Sequence, residues 1–198
     1  MNPIEVLMNE HRVIESVLDS FESFAGRLGP DSSVDAADVD RFIQFIREFA
    51  DACHHGKEED ILFATMVQNG MPRDSGPIAV MLHEHEQGRQ LVRTMIDCAA
   101  RAAASGWSDG ERQCLRHAAH SYADLLRHHI QKEDGILYPM ASSQLDASAM
   151  AEIARRFDVF EAEETGAGEH EKLHELADDL IARYGAPGAS AGHPHHHR

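Results

Sequence analysis

Apolar residues recur along the chain every three to four positions, and strict alternation is absent, so the pattern predicts helices and no strands. The first stretch runs from about Asn2 to Leu28, with Ile4, Leu7, Met8, Ile14, Leu18 and Phe21 on one stripe and Pro3 suited to a first turn. GPDSS breaks it. A second stretch, about Asp35 to Gln68, carries Phe42, Ile46, Phe49 and Cys53 on one face and stops at the loop sequence NGMPRDSGP. A third, about Ile78 to Ala104, has Met81, Leu82, Val92, Met95 and Ile96; SGWSDG separates it from a fourth, about Glu111 to Met140, striped by Leu115, Ala118, Tyr122, Leu126, Ile130 and Leu137. Four amphipathic helices on short loops predict an all-α fold, an up-down-up-down four-helix bundle over residues 1–141. Residues 142–184 read as a helical extension, two helices split near TGAGE, packed on the bundle through Leu173, Leu176, Leu180 and Ile181. Residues 185–198, rich in Gly, Ala and Pro, read as a disordered tail, and its histidines, His193, His195, His196 and His197, are set aside from any site.

Composition narrows the function. With 198 residues, 42% of them apolar, the chain is long enough for one domain with a real core. A formal net charge of −16 argues against a nucleic-acid partner and against docking on an anionic membrane. No run of some twenty apolar residues predicts a transmembrane helix, and the N-terminus turns polar too early for a signal peptide. Three cysteines in no spaced motif fit a reducing cytosol better than a disulfide framework, so the expected location is cytoplasmic. The unusual count is histidine, at 15.

These histidines fall in an internal repeat. CHHGKEEDILF, residues 53–63, returns as HHIQKEDGILY, residues 128–138. A shift of 75 pairs His54 with His129, Lys57 with Lys132, Glu58 with Glu133, Glu59 with Asp134 and Phe63 with Tyr138; Glu10-His11 likewise matches Glu84-His85. His11, His85 and His129 each lie on the apolar stripe of their helix, and the i, i+4 spacing puts Glu58 beside His54 and Glu133 beside His129. Each helix thus offers one inward histidine, and two add a carboxylate. A lone histidine on an apolar face is more often a hydrogen-bonded core residue than a ligand. Four of them with two carboxylates at pseudo-symmetric positions, however, need compensating positive charge. A pair of metal ions supplies it, and imidazole with carboxylate suits iron, manganese or zinc. The candidate ligands are His11, His54, Glu58, His85, His129 and Glu133, with His55, Glu59 and Asp134 as alternates in neighbouring registers. Tyr122, on the face of His129, is a further candidate for contact, though core packing is the commoner role for such a residue.

In this order the motifs resemble the hemerythrin-like family, the HHE cation-binding domain: His11, then HxxxE at His54–Glu58, then His85, then HxxxE at His129–Glu133, with KEEDILF and KEDGILYP similar to the family's K-E-E-x-x-L-F-P. The resemblance covers residues 1 to about 140. It implies two iron ions, Fe2+ or Fe3+, bridged by oxo or hydroxo, that bind or respond to O2, NO or peroxide. It also leaves open a di-iron enzyme of peroxidase-like or nitric-oxide-reducing type, iron storage or sensing, and iron–sulfur repair. Oxygen-carrying members have HxxxH on the third helix; here Arg89 stands four residues after His85, so the expected centre has four histidines and two similar halves.

Overall fold

The computed structural model describes residues 2–29, 35–165 and 168–185, and these fold into six helices without strands. Helix α1 is Pro3–Arg27, opened by the Asn2 side chain accepting from the Ile4 amide at 3.0 Å, with proline at its first position. Helix α2 occupies 38–68, α3 is Gly76–Ser105, α4 occupies 109–144, α5 occupies 147–165 and α6 is Glu169–Tyr184. The predicted tail from 186 onward, and the GPDSS and TGAGE breaks in part, lie outside the described residues.

Three of these helices are not uniform, α5 through its π-helical end Glu161–Thr165. In α2 the α-helical Asp38–Phe45 widens to π-helix over Ile46–His55 and again over Glu58–Phe63, before Ala64–Gln68 closes it. In α4 the stretch Glu133–Leu137 is also π-helical, between Asp109–Lys132 and Tyr138–Gln144. The three wide segments of α2 and α4 flank the repeated histidine motifs, where π-turns commonly re-aim side chains.

Two apolar clusters set the helix directions. One holds Ile4 and Leu7 of α1, Leu62, Phe63 and Met66 of α2, Ile78 and Met81 of α3, and Leu137 and Ala141 of α4. The other holds Leu18 and Phe21 of α1, Phe42 and Phe49 of α2, Val92 and Met95 of α3, and Leu115 and Leu126 of α4. α1 and α3 therefore run from the first cluster to the second, and α2 and α4 run back. Between the clusters each of α1 to α4 contributes buried polar residues: Glu10, His11, His54, His55, Lys57, Glu58, His85, His129 and Glu133. The extension seals both ends, Ile153 and Phe157 of α5 joining the first cluster and Leu173, Leu180 and Tyr184 of α6 the second. Gly56 lets α5 approach: a Cβ there would meet the Phe160 ring at 2.7 Å.

One expectation is corrected. Cys98 of α3 and Cys114 of α4 form a disulfide, Cα atoms 6.1 Å apart, while Cys53 stays a buried thiol. The two positions sit on neighbouring antiparallel helices, a pairing that sequence spacing does not announce. No helix among the described residues is long and apolar enough to cross a membrane.

Candidate metal centre

The buried polar layer resolves into two groups of ligand atoms that share one carboxylate. His55, Glu58, His85 and His129 form one group, and His11, His54, Glu58 and Glu133 the other, each with its atoms within 4.8 Å of one another. Glu58 Oε2 lies 3.4 Å from His85 Nε2 and 3.8 Å from His54 Nε2. Glu133 also spans both groups, Oε2 standing 3.2 Å from His11 Nε2 and Oε1 3.2 Å from His129 Nε2.

A carboxylate holds the far nitrogen of every ring. Nδ1 of His11 meets Asp134 at 2.7 Å, Nδ1 of His54 meets Glu10 at 2.8 Å, and Nδ1 of His85 meets Glu59 at 2.7 Å. His129 meets Glu84 at 2.9 Å and His55 meets Asp51 at 3.3 Å. An ionised carboxylate only accepts, so each Nδ1 carries the proton and donates, and each Nε2 is left with its lone pair. That arrangement fixes tautomer and ring orientation in metal-binding histidines. Outside the carboxylates stands a further ring of cations: Arg12 on Asp134, Lys57 on Glu10, Lys132 on Glu84, and Arg89 on both Asp51 and Glu59.

The outer carboxylates are thus neutralised, and the inner ones are not. Glu58 and Glu133 are fully buried with no lysine or arginine among their contacts. His54 Nε2, Glu58 Oε2 and both oxygens of Glu133 are buried without a hydrogen-bond partner. His85 Nε2 and His129 Nε2 face each other at 3.0 Å. Leaving such groups buried and uncompensated costs about 1–3 kcal/mol for a neutral atom and more for a charged one. Two cations at the shared carboxylates would satisfy every one of them, so the residues fit a metal pair, with three histidines on one side and two on the other.

Without metal, protons take that place in part. Burial pushes the His11 imidazolium down, but Asp134, Glu133 and Glu58 outweigh it and raise it to about 9. Burial likewise disfavours charged His129, and Glu133 with Glu84 overrides this to bring it to about 10. His55 goes the other way: burial and the adjacent His85 hold it well below the ordinary histidine range.

All six principal candidates from sequence, His11, His54, Glu58, His85, His129 and Glu133, meet in this layer. The alternates separate. His55 joins the layer together with His54, its ring stacked on His85 at 3.8 Å, whereas Glu59 and Asp134 lie behind His85 and His11. Five histidines, where the sequence led to an expectation of four, therefore face the layer. In a plain α-helix adjacent residues diverge by about 100°; the π-helical Ile46–His55 narrows that divergence and brings both rings inward. Arg89, where the third helix lacks a second histidine, instead ties together the carboxylates behind His55 and His85. His128 points out and bonds the Asp124 carbonyl, and Tyr122 lines a cavity of about 350 Å³ with His55, His85 and Gly88. Sequence analysis missed the supporting roles of Glu10, Asp51, Glu84, Lys57 and Lys132, and it missed Tyr138, whose hydroxyl donates to Glu58 Oε1 at 2.7 Å. The repeat carried a signal for most of them, since Glu10/Glu84, Lys57/Lys132 and Glu59/Asp134 recur with the histidines.

Residues 2–141 match the hemerythrin HHE cation binding domain. Proteins of Mycobacterium bovis and Mycobacterium tuberculosis, both described as uncharacterized, are 27% identical over 175 residues, 88% of this chain and 67% of theirs. An iron-sulfur cluster repair protein, YtfE, of Musicola paradisiaca is 38% identical over 94 residues, 44% of this chain and 40% of its own. No solved structure matches. The chain belongs to the hemerythrin HHE cation-binding domain family.

Proposed function

We propose that the chain holds two iron ions and binds or responds to a small oxidant or diatomic: O2, NO or peroxide. The observation that carries this is the set of orphaned inward atoms on His54, Glu58 and Glu133, surrounded by histidines whose Nδ1 protons are all committed elsewhere. His55, His85 and His129 would hold one ion and His11 and His54 the other, with Glu58 and Glu133 between them. Such a pair, when bound, supplies Lewis acidity and redox electrons. The protein's part is to keep the Nε2 lone pairs aimed inward, exclude bulk water, and leave the two-histidine side with fewer protein ligands. Small molecules would reach the layer through the cavity between Tyr122, Gly88 and the His55 and His85 rings.

A second reading is iron–sulfur repair, favoured by the relative that carries that description. Peroxidase-like or nitric-oxide-reducing turnover would need an electron donor. A cytoplasmic location belongs to the same proposal, and the Cys98–Cys114 bridge weighs against it, because cytosolic thiols are kept reduced. Alkylating thiols at the moment of lysis and counting free cysteines decides that point.

The test is iron analysis with an absorption spectrum on chain reconstituted with iron. About two irons per chain, with oxo-bridge bands that change on adding O2, NO or peroxide, is the expected result. A single zinc, or no metal in a stably folded chain, would sink the proposal. Which ligand changes the spectrum then separates an oxygen-binding protein from one that responds to NO.

A further inference from the structure

The repeat is broken at the aromatic that closes each motif. Phe63 and Tyr138 are repeat partners, and each lies on the first histidine of the opposite hairpin: Tyr138 stacks on His11 at 5.4 Å and 8°, Phe63 on His85 at 6.0 Å and 17°. Only Tyr138 brings a hydroxyl into the layer. It donates to Glu58 Oε1 at 2.7 Å and lies 3.3 Å from His11 Nε2, on the two-histidine side.

This makes the two central carboxylates unequal. Glu133, facing no hydroxyl, leaves both oxygens without partners, one toward His11 and one toward His129. Glu58 leaves only Oε2, because Tyr138 occupies Oε1. Packing does not require the difference, since phenylalanine fills the equivalent position over His85.

We infer that Tyr138 is a positioning and specificity residue of this centre: by engaging Oε1 it confines Glu58 to contact with the metal pair through Oε2, keeps a place beside His11 and His54 for a small anionic ligand, and offers that ligand a hydrogen bond. The inference rests on the proposal of a metal pair and adds to it the residue that sets how a small ligand is held on the two-histidine side. With phenylalanine at 138, Glu58 Oε1 is free to take that place itself and the donor is gone. Both changes weaken the anion.

The experiment compares iron-loaded wild type, Tyr138→Phe and Tyr184→Phe, with azide as the probe. Iron per chain, thermal midpoint, azide affinity by absorption and the Mössbauer spectrum of the diferric form are measured on each. The inference expects Tyr138→Phe to keep both irons and to bind azide more weakly by about tenfold or more, as for loss of a hydrogen bond to a charged group. One of its two iron doublets should change splitting and the other should not. Tyr184→Phe, which removes a buried tyrosine hydroxyl from the far apolar cluster, where it donates to Asp38, should bind azide as wild type does. Unchanged azide affinity in Tyr138→Phe with two irons present would overturn the inference while leaving the metal pair intact. Equal weakening in both variants would also overturn it, by showing a general effect of removing a buried tyrosine hydroxyl. A wild-type chain that takes up no iron pair would remove the metal proposal and this inference together.

Discussion

His129 and His128 are adjacent in sequence and opposite in consequence. His129 is buried with Nδ1 on Glu84 and Nε2 beside Glu133, while His128 is exposed and bonds the Asp124 carbonyl. Replacing His129 with alanine leaves buried Glu133 short of a partner, a loss of about 3–5 kcal/mol for a broken buried pair. His129→Ala should fold less stably and lose iron, whereas His128→Ala should match wild type in both iron analysis and chemical denaturation. Equal iron in the two variants would refute the assigned face. The inward direction of His129 was legible from its place among Tyr122, Leu126 and Ile130. The choice between bonding to metal and bonding to a neighbouring ring was not, because that depends on which helix lies across from it. Glu59 and Asp134 illustrate the point: spacing made them candidate ligands, and packing turned them to the far nitrogens of His85 and His11.

At the scale of the helix, the π-helical run Ile46–His55 decides the histidine count. His55→Ala should remove one ring from the three-histidine side and leave His54 in place, so iron content on reconstitution should fall below that of wild type with α-helical circular dichroism retained. An unchanged stoichiometry would mean that His55 serves packing alone. A second prediction concerns α3 and α4, joined at Cys98 and Cys114 across 16 residues. Closing a loop of that size stabilises a fold by about 3 kcal/mol in the chain-entropy account. Reduction, or Cys114→Ser, should lower the thermal midpoint without changing iron content, since both sulfurs lie in the apolar end away from the histidines. Helix order and amphipathic faces were readable from the 3.6-residue period, but the wide turns were not. A π-segment uses the same residue types as an α-helix, and only the demand that His54 and His55 both reach one layer distinguishes it.

For the molecule as a whole, the layer behaves differently with and without metal. His11 and His129 are raised from the ordinary value of 6.5 to about 9 and about 10 in the metal-free chain. Groups raised on folding contribute stability that is complete below the unfolded value and is lost as pH climbs through the folded ones. Metal-free protein should therefore become less stable from about pH 7 toward about pH 10. Iron-loaded protein should hold its metal more tightly over the same range, because ions and protons compete for the same Nε2 atoms. Thermal unfolding of chelator-treated and iron-loaded samples across that window checks both directions. A metal-free chain that grew more stable with rising pH would contradict the arrangement of charges around His11 and His129. The extension takes part in this as well, since Glu161 of α5 reaches Lys57 at 2.8 Å, and Lys57 in turn holds the Glu10 carboxylate behind His54.

The periodic apolar stripes and the repeated motifs were enough to establish a helical bundle, its four-fold succession of inward histidines, and the membership of Glu58 and Glu133 among them. These are local properties: a face of a helix is written in residues three and four apart. Packing between helices chose the rest. It made His55 a fifth inward ring through a widened turn, set a carboxylate behind every histidine and a cation behind every carboxylate, joined Cys98 to Cys114, and brought the Tyr138 hydroxyl onto Glu58. Each of those links residues far apart in the chain, and one-dimensional spacing carries no record of which helices become neighbours or of how far a turn opens to let two adjacent side chains share a face.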